Sequence, residues 1–192
     1  MTATLYADPV PTQAGNPGHA PGSARAAVLS EISDSPPAFR ERPIILLADD
    51  NPRDVDLALH ALARSGLEQE VVTVRDGVAV MDYLRSGGVR EDGRSRRPTV
   101  VLLDMKMPRM DGLEALRQIK ADPGLKTIPV VLFSSSQEGI DLVRAYAAGA
   151  NSYVVKPLLF ERFTEVVRMI AGYWGGVNVA VPDPPAQDPS NW

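Results

Sequence analysis

The chain contains 192 residues, of which 44% are hydrophobic and 23% are charged, a composition typical of a globular domain with a sizeable core. Its net charge of −4 argues against nucleic-acid binding, because proteins that bind nucleic acid usually carry a basic face. The sequence has no cysteine and no apolar run near the ~20 residues of a membrane span. We therefore expect a cytoplasmic protein that binds neither nucleic acid nor a membrane and uses no thiolate or cysteine zinc site.

Two proline-containing segments flank the predicted folded unit. Residues 1–42 are rich in Pro, Ala, Gly and Ser, and residues 179–192 contain four prolines. Such segments bury too little apolar surface to offset the entropy of ordering them, so we predict that both are disordered. A start codon placed too far upstream is the alternative interpretation of the first segment. The folded domain is then residues 43–178.

Two strand–helix pairs are predicted in the first half of this domain. Residues 44–48 form a continuous apolar run, as expected for a strand covered on both faces, and Asn51 can cap the helix that follows. Residues 71–74 form the second predicted strand, and Asp76 can cap the helix after it. A charged loop at residues 86–97 comes next, and it is long for so small a domain.

Three more strand–helix pairs follow in the second half. The predicted strands are residues 100–103, 130–133 and 153–155. The predicted helices after them are residues 112–121, 138–148 and 159–170. Strands that alternate with helices indicate an α/β fold with a doubly wound parallel sheet, because parallel neighbours need long crossover connections.

Polar or charged side chains stand directly after the predicted strands, and those after four of them could act together in one reaction. In an open parallel sheet, groups beyond the carboxyl ends of the strands converge on one edge, where such folds carry their active groups. The residues that this rule brings together are Asp49, Asp50, Asp104, Ser134 and Lys156. Taken singly, these residues have ordinary explanations as turns, helix caps or surface charges. Their joint placement at the strand ends is what favours a functional site.

The chemistry expected at this edge is phosphoryl transfer to a carboxylate. Three ionised carboxylates repel one another unless a cation offsets their charge, and a hard divalent ion, expected to be Mg²⁺ in the cytosol, does so with oxygen ligands. A carboxylate can attack phosphorus, which makes Asp104 a candidate acceptor. The metal, the Lys156 ammonium and the Ser134 hydroxyl could then offset charge on the phosphoryl oxygens.

The folded unit resembles the receiver domains of bacterial response regulators over residues 44–172. The matching stretches are ILLADD at 45–50, VVLLDMKMPRMDG at 100–112, IPVVLFSS at 128–135 and AGANSYVVKP at 148–157. The resemblance implies a flavodoxin-like (CheY-like) sheet of five parallel strands in the order 2-1-3-4-5, with five helices. It also implies a single-domain response regulator of a two-component phosphorelay. The long loop and the Gly172-Tyr173-Trp174 ending are similar to small stand-alone regulators of phytochrome histidine kinases.

The resemblance implies a role for each matching site residue. Asp104 corresponds to the phosphoacceptor, and Lys156 corresponds to the lysine that pairs with the phosphoryl oxygens. A divalent metal, Mg²⁺ or Mn²⁺, is expected to bind Asp50 directly and Asp49 mainly through a metal-bound water. Asp104 and the backbone carbonyl of Lys106 complete the implied metal site. We further expect the Lys106 ammonium to shield the phosphoryl group partly, the alternative being that this side chain simply points to solvent.

Two residues match the positions of the family's switch, and a third matches a position that orients Lys156. Ser134 and Tyr153 correspond to a hydroxyl and an aromatic ring that rearrange together after phosphorylation, with the hydroxyl turning to the phosphoryl group. Pro157 corresponds to a proline preceded by a cis peptide bond, which would orient Lys156.

We expect the phosphorylated state to act through other proteins, because the segment after Ile170 is too short for a DNA-binding or enzymatic module. The expected partners are a sensor histidine kinase, with a bacteriophytochrome as the candidate, and a second copy bound through the fourth helix, fifth strand and fifth helix. A phosphate sink or degenerate interaction module that competes for a shared kinase is the alternative. A phosphohydrolase is disfavoured, because Lys106 stands where such enzymes need a second acid, so we expect no turnover enzyme.

Overall fold

The computed structural model describes residues 42–87 and 97–181. The expectations for residues 1–41, for most of the charged loop and for residues 182–192 fall outside these ranges. Within them, no helix has the length and apolar character needed to cross a membrane.

The described residues form a five-stranded parallel sheet whose order is β2-β1-β3-β4-β5. The strands are β1 (Ile44–Ala48), β2 (Glu70–Val74), β3 (Val100–Leu103), β4 (Val130–Ser134) and β5 (Ser152–Val155). Every residue of β1, β3 and β4 is buried, as expected for central strands with helices on both faces. The predicted class, strand order and parallel pairing are confirmed.

Five α-helices connect and cover these strands, as predicted. They are α1 (Pro52–Ala63), α2 (Gly77–Arg85), α3 (Gly112–Ala121), α4 (Gly139–Ala147) and α5 (Phe160–Gly172). A π-helical turn at Tyr173–Val177 extends α5 beyond the predicted end. The extension is stabilised by Trp174, which packs against the apolar cluster under α1 and α5 and meets the Tyr173 ring edge-on.

The starts of α1 and α2 are fixed by side-chain caps. The Asn51 side chain accepts a hydrogen bond from the Arg53 N–H, and the Asp76 carboxylate accepts one from the Ala79 N–H. Both caps were expected from the sequence, and each satisfies a backbone donor that has no partner inside its helix.

Two apolar layers hold the sheet in place. One layer is formed by β-strand residues against α2, α3 and α4, with Val80, Leu116 and Ile119 fully buried. The other lies under α1 and α5, where the Phe133 and Phe163 rings meet at 5.2 Å between centroids. Burying each large apolar side chain in this way contributes about 1.5–3 kcal/mol to the free energy of folding. The layers therefore give a stable scaffold whose strand ends share one edge.

Candidate functional site

Three carboxylates meet at the carboxyl edge of the sheet. Asp49 and Asp50 follow β1, Asp104 follows β3, and one oxygen from each lies within 4.8 Å of the others. The backbone explains this convergence, because the Asp49 N–H donates to the Val74 carbonyl (3.1 Å) and the Asp104 N–H donates to the Ala48 carbonyl (2.9 Å). Hydrogen bonding between the strands thus continues into the site.

Lys156 joins this group from the end of the edge strand β5. Its backbone N–H donates to the Ser134 carbonyl at 2.8 Å, so the residue leaves β5 in register with β4. The ammonium nitrogen lies 2.6 Å from Asp49 Oδ2 and 2.8 Å from Asp104 Oδ1. It also lies 3.0 Å from Asp54 Oδ2. The three hydrogens of the ammonium therefore match three carboxylate partners.

Burial governs the electrostatics of this cluster. Burial raises the pKa of the Asp49 carboxyl, although the hydrogen bond and the charge of Lys156 act in the opposite direction. Burial alone would lower the pKa of Lys156, but hydrogen bonds to Asp104 and Asp49 outweigh it and raise that pKa above its ordinary value. The lysine therefore stays charged, and its single charge is shared among carboxylates that outnumber it.

The residues present fit a hard divalent cation. Three carboxylates with oxygens close together supply the ligands that such an ion prefers, and one ammonium leaves much of their charge uncompensated. For Lys106, the structure shows its N–H donating to Asp104 Oδ2 at 2.8 Å, and the expected role of its carbonyl in metal binding stays a prediction. Its exposed side chain is free to reach the solvent side of the site.

The two predicted switch residues converge on a common neighbour. Ser134 is buried at the end of β4, and its hydroxyl oxygen accepts a hydrogen bond from the Ser136 N–H at 3.1 Å. The Tyr153 hydroxyl donates to the Ser136 carbonyl at 2.9 Å. The Ser136 hydroxyl in turn donates to Asp141 in α4 at 2.6 Å. One short loop therefore connects both predicted switch residues to α4.

The peptide bond before Pro157 differs from expectation. The described residues contain no cis peptide bond, so the Lys156–Pro157 bond is trans and the cis prediction is wrong. The trans form is the ordinary preference even before proline, by about 0.5–1 kcal/mol. The direction of Lys156 is set instead by its backbone bond to Ser134 and by its carboxylate partners.

Asp54 is a site residue that the sequence reasoning missed. It lies in the first turn of α1, rather than at a strand end, and its carboxylate contacts the Lys156 ammonium. A signal was available, because a helix that starts at Pro52 places its first turn beside the Asp49-Asp50 pair.

A second missed contact joins the loop after Asp104 to the start of α2. The Arg109 guanidinium forms an ion pair with the buried Asp76 carboxylate, and its Nε donates to Asp76 Oδ2 at 2.9 Å. Burial opposes ionisation of Asp76, but the Ala79 N–H and Arg109 together lower the pKa of that carboxyl. Arg109 has a positive φ of 62°, which this contact helps to hold.

Gly112, at the start of α3, closes the same loop. A Cβ at this position would collide with the Asp104 carbonyl oxygen, and it would lie 2.9 Å from the Asp104 carbonyl carbon. The Gly112 N–H donates to the Met105 carbonyl at 3.0 Å. The close approach of these backbones explains why a glycine stands here.

Comparison with known proteins identifies relatives of this chain and its fold. The response regulator receiver domain family model matches residues 45–168. The chain is 43% identical to the probable methanogenesis regulatory protein FilR2 of Methanothrix harundinacea, over 70% of this chain and 85% of that protein. It is 38% identical to the response regulator Rcp1 of Synechocystis, over 59% of this chain and 76% of Rcp1.

Solved structures show the same similarity. The phosphorylated cyanobacterial phytochrome response regulator RcpA is 37% identical, with a TM-score of 0.67 over 74% of this chain and 100% of RcpA. The Mn²⁺-bound form of Rcp1 is 31% identical, with a TM-score of 0.66 over 73% of this chain and 99% of Rcp1. The bacteriophytochrome response regulator AtBRR is 43% identical, with a TM-score of 0.57 over 75% of this chain and 99% of AtBRR.

Proposed function

We propose that this chain, which belongs to the response regulator receiver domain family and acts in two-component signalling, takes a phosphoryl group from a histidine kinase on Asp104. The observation that carries the proposal is the position of the Asp104 carboxylate. One of its oxygens accepts from the Lys106 N–H, and the other lies 2.8 Å from the Lys156 ammonium. A carboxylate held in this way is oriented for attack and keeps a cation beside the oxygen where a phosphoryl group would arrive.

The transfer exchanges one bond to phosphorus for another. An Asp104 oxygen attacks the phosphorus of the kinase phosphohistidine, the new O–P bond forms as the P–N bond breaks, and the imidazole leaves with a proton. The ionised carboxylate has no proton to lose, so no separate base is needed. Lys156 stays charged and offsets negative charge on the phosphoryl oxygens.

The divalent metal of this proposal is Mg²⁺ or Mn²⁺. Asp49, Asp50, Asp104 and the Lys106 carbonyl would hold it. When bound, it would supply neutralising charge to the transferring oxygens. The Mn²⁺-bound form of Rcp1 supports a metal of this class, and Mg²⁺ is the ion we expect in the cytoplasm, where we place this reaction.

Ser134 and Tyr153 would convert the phosphoryl group into a changed surface. The Ser134 hydroxyl turns toward the phosphoryl group, and this breaks its contact with the Ser136 N–H. Tyr153 is tied to the same Ser136 through its hydroxyl, so its ring follows the loop. The Ser136–Asp141 bond carries the change to α4.

The output of the switch would be a protein contact and not an enzymatic turnover. An exposed apolar surface, here named the α4–β5–α5 face, lies next to this loop and supports a homodimer in the phosphorylated state. Its residues are Ile140, Val143, Tyr146 and Val155. The similarity to RcpA and AtBRR favours a phytochrome histidine kinase as the phosphodonor.

The proposal is tested by phosphotransfer from candidate histidine kinases, phytochromes among them, in the presence of Mg²⁺. We expect a radiolabelled phosphoryl group on the parent protein, its release by hydroxylamine, and no label on Asp104→Asn. Chelation of the metal should abolish the transfer. Equal labelling of the parent and Asp104→Asn, or label that resists hydroxylamine, would exclude Asp104 as the acceptor.

A further inference from the structure

We infer that Asp54 is a positioning residue for Lys156. The Asp54 carboxylate holds the Lys156 ammonium in place while the phosphoryl group and its metal occupy Asp49 and Asp104. The inference rests on the proposed function, since it concerns the lysine that would face the phosphoryl group. It adds a residue that lies on a helix, whereas the predicted site residues lie at the carboxyl ends of strands.

Asp54 differs from the other two partners of Lys156 in where it lies. The side chains of Asp49 and Asp104 are 4% and 8% exposed, whereas that of Asp54 is 28% exposed. Among the described residues, the carboxylates that lie close enough together to share a cation are Asp49, Asp50 and Asp104, without Asp54. Asp54 therefore contacts the lysine from outside the acidic group.

This difference matters because a bound cation competes with the ammonium. A divalent ion repels Lys156 and takes up the charge of the same carboxylates that now hold it. Phosphorylation also turns the Asp104 carboxylate into an acyl phosphate, so Asp104 no longer offers an ionised carboxylate to the ammonium. Asp54 lies outside the carboxylate group that could share the cation, so it is the partner that can retain the ammonium beside the phosphoryl oxygens.

The local structure fixes Asp54 at the required distance. The Asn51 N–H donates to Asp49 Oδ1 at 3.0 Å, and the Asn51 side chain caps α1 through the Arg53 N–H at 3.1 Å. The helix therefore starts at a set position relative to Asp49, and its first turn brings Asp54 Oδ2 to 3.0 Å from the ammonium. The other oxygen of Asp49 contacts the same ammonium at 2.6 Å, which closes the arrangement.

A purely helical role for Asp54 is the competing explanation. An acidic side chain in the first turn of a helix interacts favourably with the helix dipole wherever it points. Asp56 lies on the same helix with an exposed side chain and the same charge. Asp56→Asn therefore removes an equal charge without touching Lys156, and it is the matched control for Asp54→Asn.

The first measurement is the rate of phosphorylation by phosphoramidate at saturating Mg²⁺. We expect Asp54→Asn to slow the reaction about fivefold, as for a partly exposed charged contact, while Asp56→Asn matches the parent. Asp54→Glu keeps the charge and should recover most of the rate. Circular dichroism confirms that each variant is folded.

The second measurement needs neither metal nor phosphate. In metal-free protein, the ¹H–¹⁵N signal of the Lys156 ammonium, identified by its loss in Lys156→Met, reports how firmly its hydrogens are held. We expect their exchange with water to rise about fivefold in Asp54→Asn and to stay unchanged in Asp56→Asn, because one charged hydrogen bond is lost.

The outcomes separate this inference from the proposed function. If Asp54→Asn matches Asp56→Asn in either measurement, or if the parent shows no protected ammonium signal, Asp54 does not position Lys156. If the parent itself takes no phosphoryl group, the proposed function fails, while the exchange measurement still decides whether Asp54 holds the lysine.

Discussion

Gly112→Ala should destabilise the protein through the backbone of the phosphoacceptor loop. The added Cβ would overlap the Asp104 carbonyl oxygen and would lie 2.9 Å from the Asp104 carbonyl carbon and 3.0 Å from the Met105 Cα. All three atoms belong to the backbone, so no side-chain rotation can relieve the overlap. Either the loop or the start of α3 must move, and the 3.0 Å hydrogen bond from Gly112 N–H to the Met105 carbonyl weakens.

The size of the effect follows from these contacts. Overpacking of this kind costs about 1–3 kcal/mol, and a weakened hydrogen bond adds about 1 kcal/mol. The better helix propensity of alanine returns roughly 0.5–1 kcal/mol. We therefore expect a loss of about 2–3 kcal/mol, which for a domain of this size corresponds to a fall in Tm of roughly 6–12 °C.

Gly139→Ala is the matched control for this prediction. Gly139 is also the first residue of a helix, but a Cβ there meets nothing within 4 Å, so the substitution should be neutral or slightly stabilising. Urea unfolding and calorimetry of the parent and both variants measure the difference. If Gly112→Ala were as stable as Gly139→Ala, the close approach between Gly112 and the Asp104 backbone would not exist in solution.

Three further predictions concern pH, phosphoryl lifetime and assembly. The pKa of Asp76 is lowered in the fold, so its contribution to stability is present above the ordinary carboxyl pKa and is lost as pH falls below that value. Asp76→Asn should therefore flatten the acid side of a plot of stability against pH. An unchanged acid limb in urea titrations would contradict this. Lys106→Ala should lose phosphate faster than the parent in a decay assay, and an equal or slower decay would remove the proposed shielding. Beryllofluoride should convert the parent to a dimer in size-exclusion chromatography but leave Val143→Glu monomeric, with Leu67→Glu, outside the α4–β5–α5 face, as the control that still dimerises.

The strand-end residues could be predicted from the sequence because topology alone brings them together. The apolar runs and the caps at Asn51 and Asp76 define alternating strands and helices, and a parallel sheet then aligns the carboxyl ends of its strands. That rule needs no knowledge of side-chain geometry. It therefore succeeds for the meeting of Asp49, Asp50 and Asp104.

Contacts that depend on side-chain direction could not be predicted in the same way. Asp54 reaches Lys156 from inside a helix, where the sequence pattern indicates an ordinary first-turn acid. The Arg109–Asp76 pair joins two loops whose relative placement follows only from the packed structure. The cis bond expected before Pro157 was inferred from resemblance, and the isomer is decided by local contacts that the motif does not specify.

The geometry of Lys156 bears on how phosphorylation is read out. Its ammonium already contacts three carboxylates, so a phosphoryl group on Asp104 would replace one anionic partner with another and leave the lysine close to its present place. Within residues 42–87 and 97–181, by contrast, the Ser134 hydroxyl has a single neutral hydrogen bond to give up, which it accepts from the Ser136 N–H at 3.1 Å. The change in structure should therefore begin at Ser134 and pass through Ser136 to Tyr153 and α4, while Lys156 supplies charge without acting as the moving part.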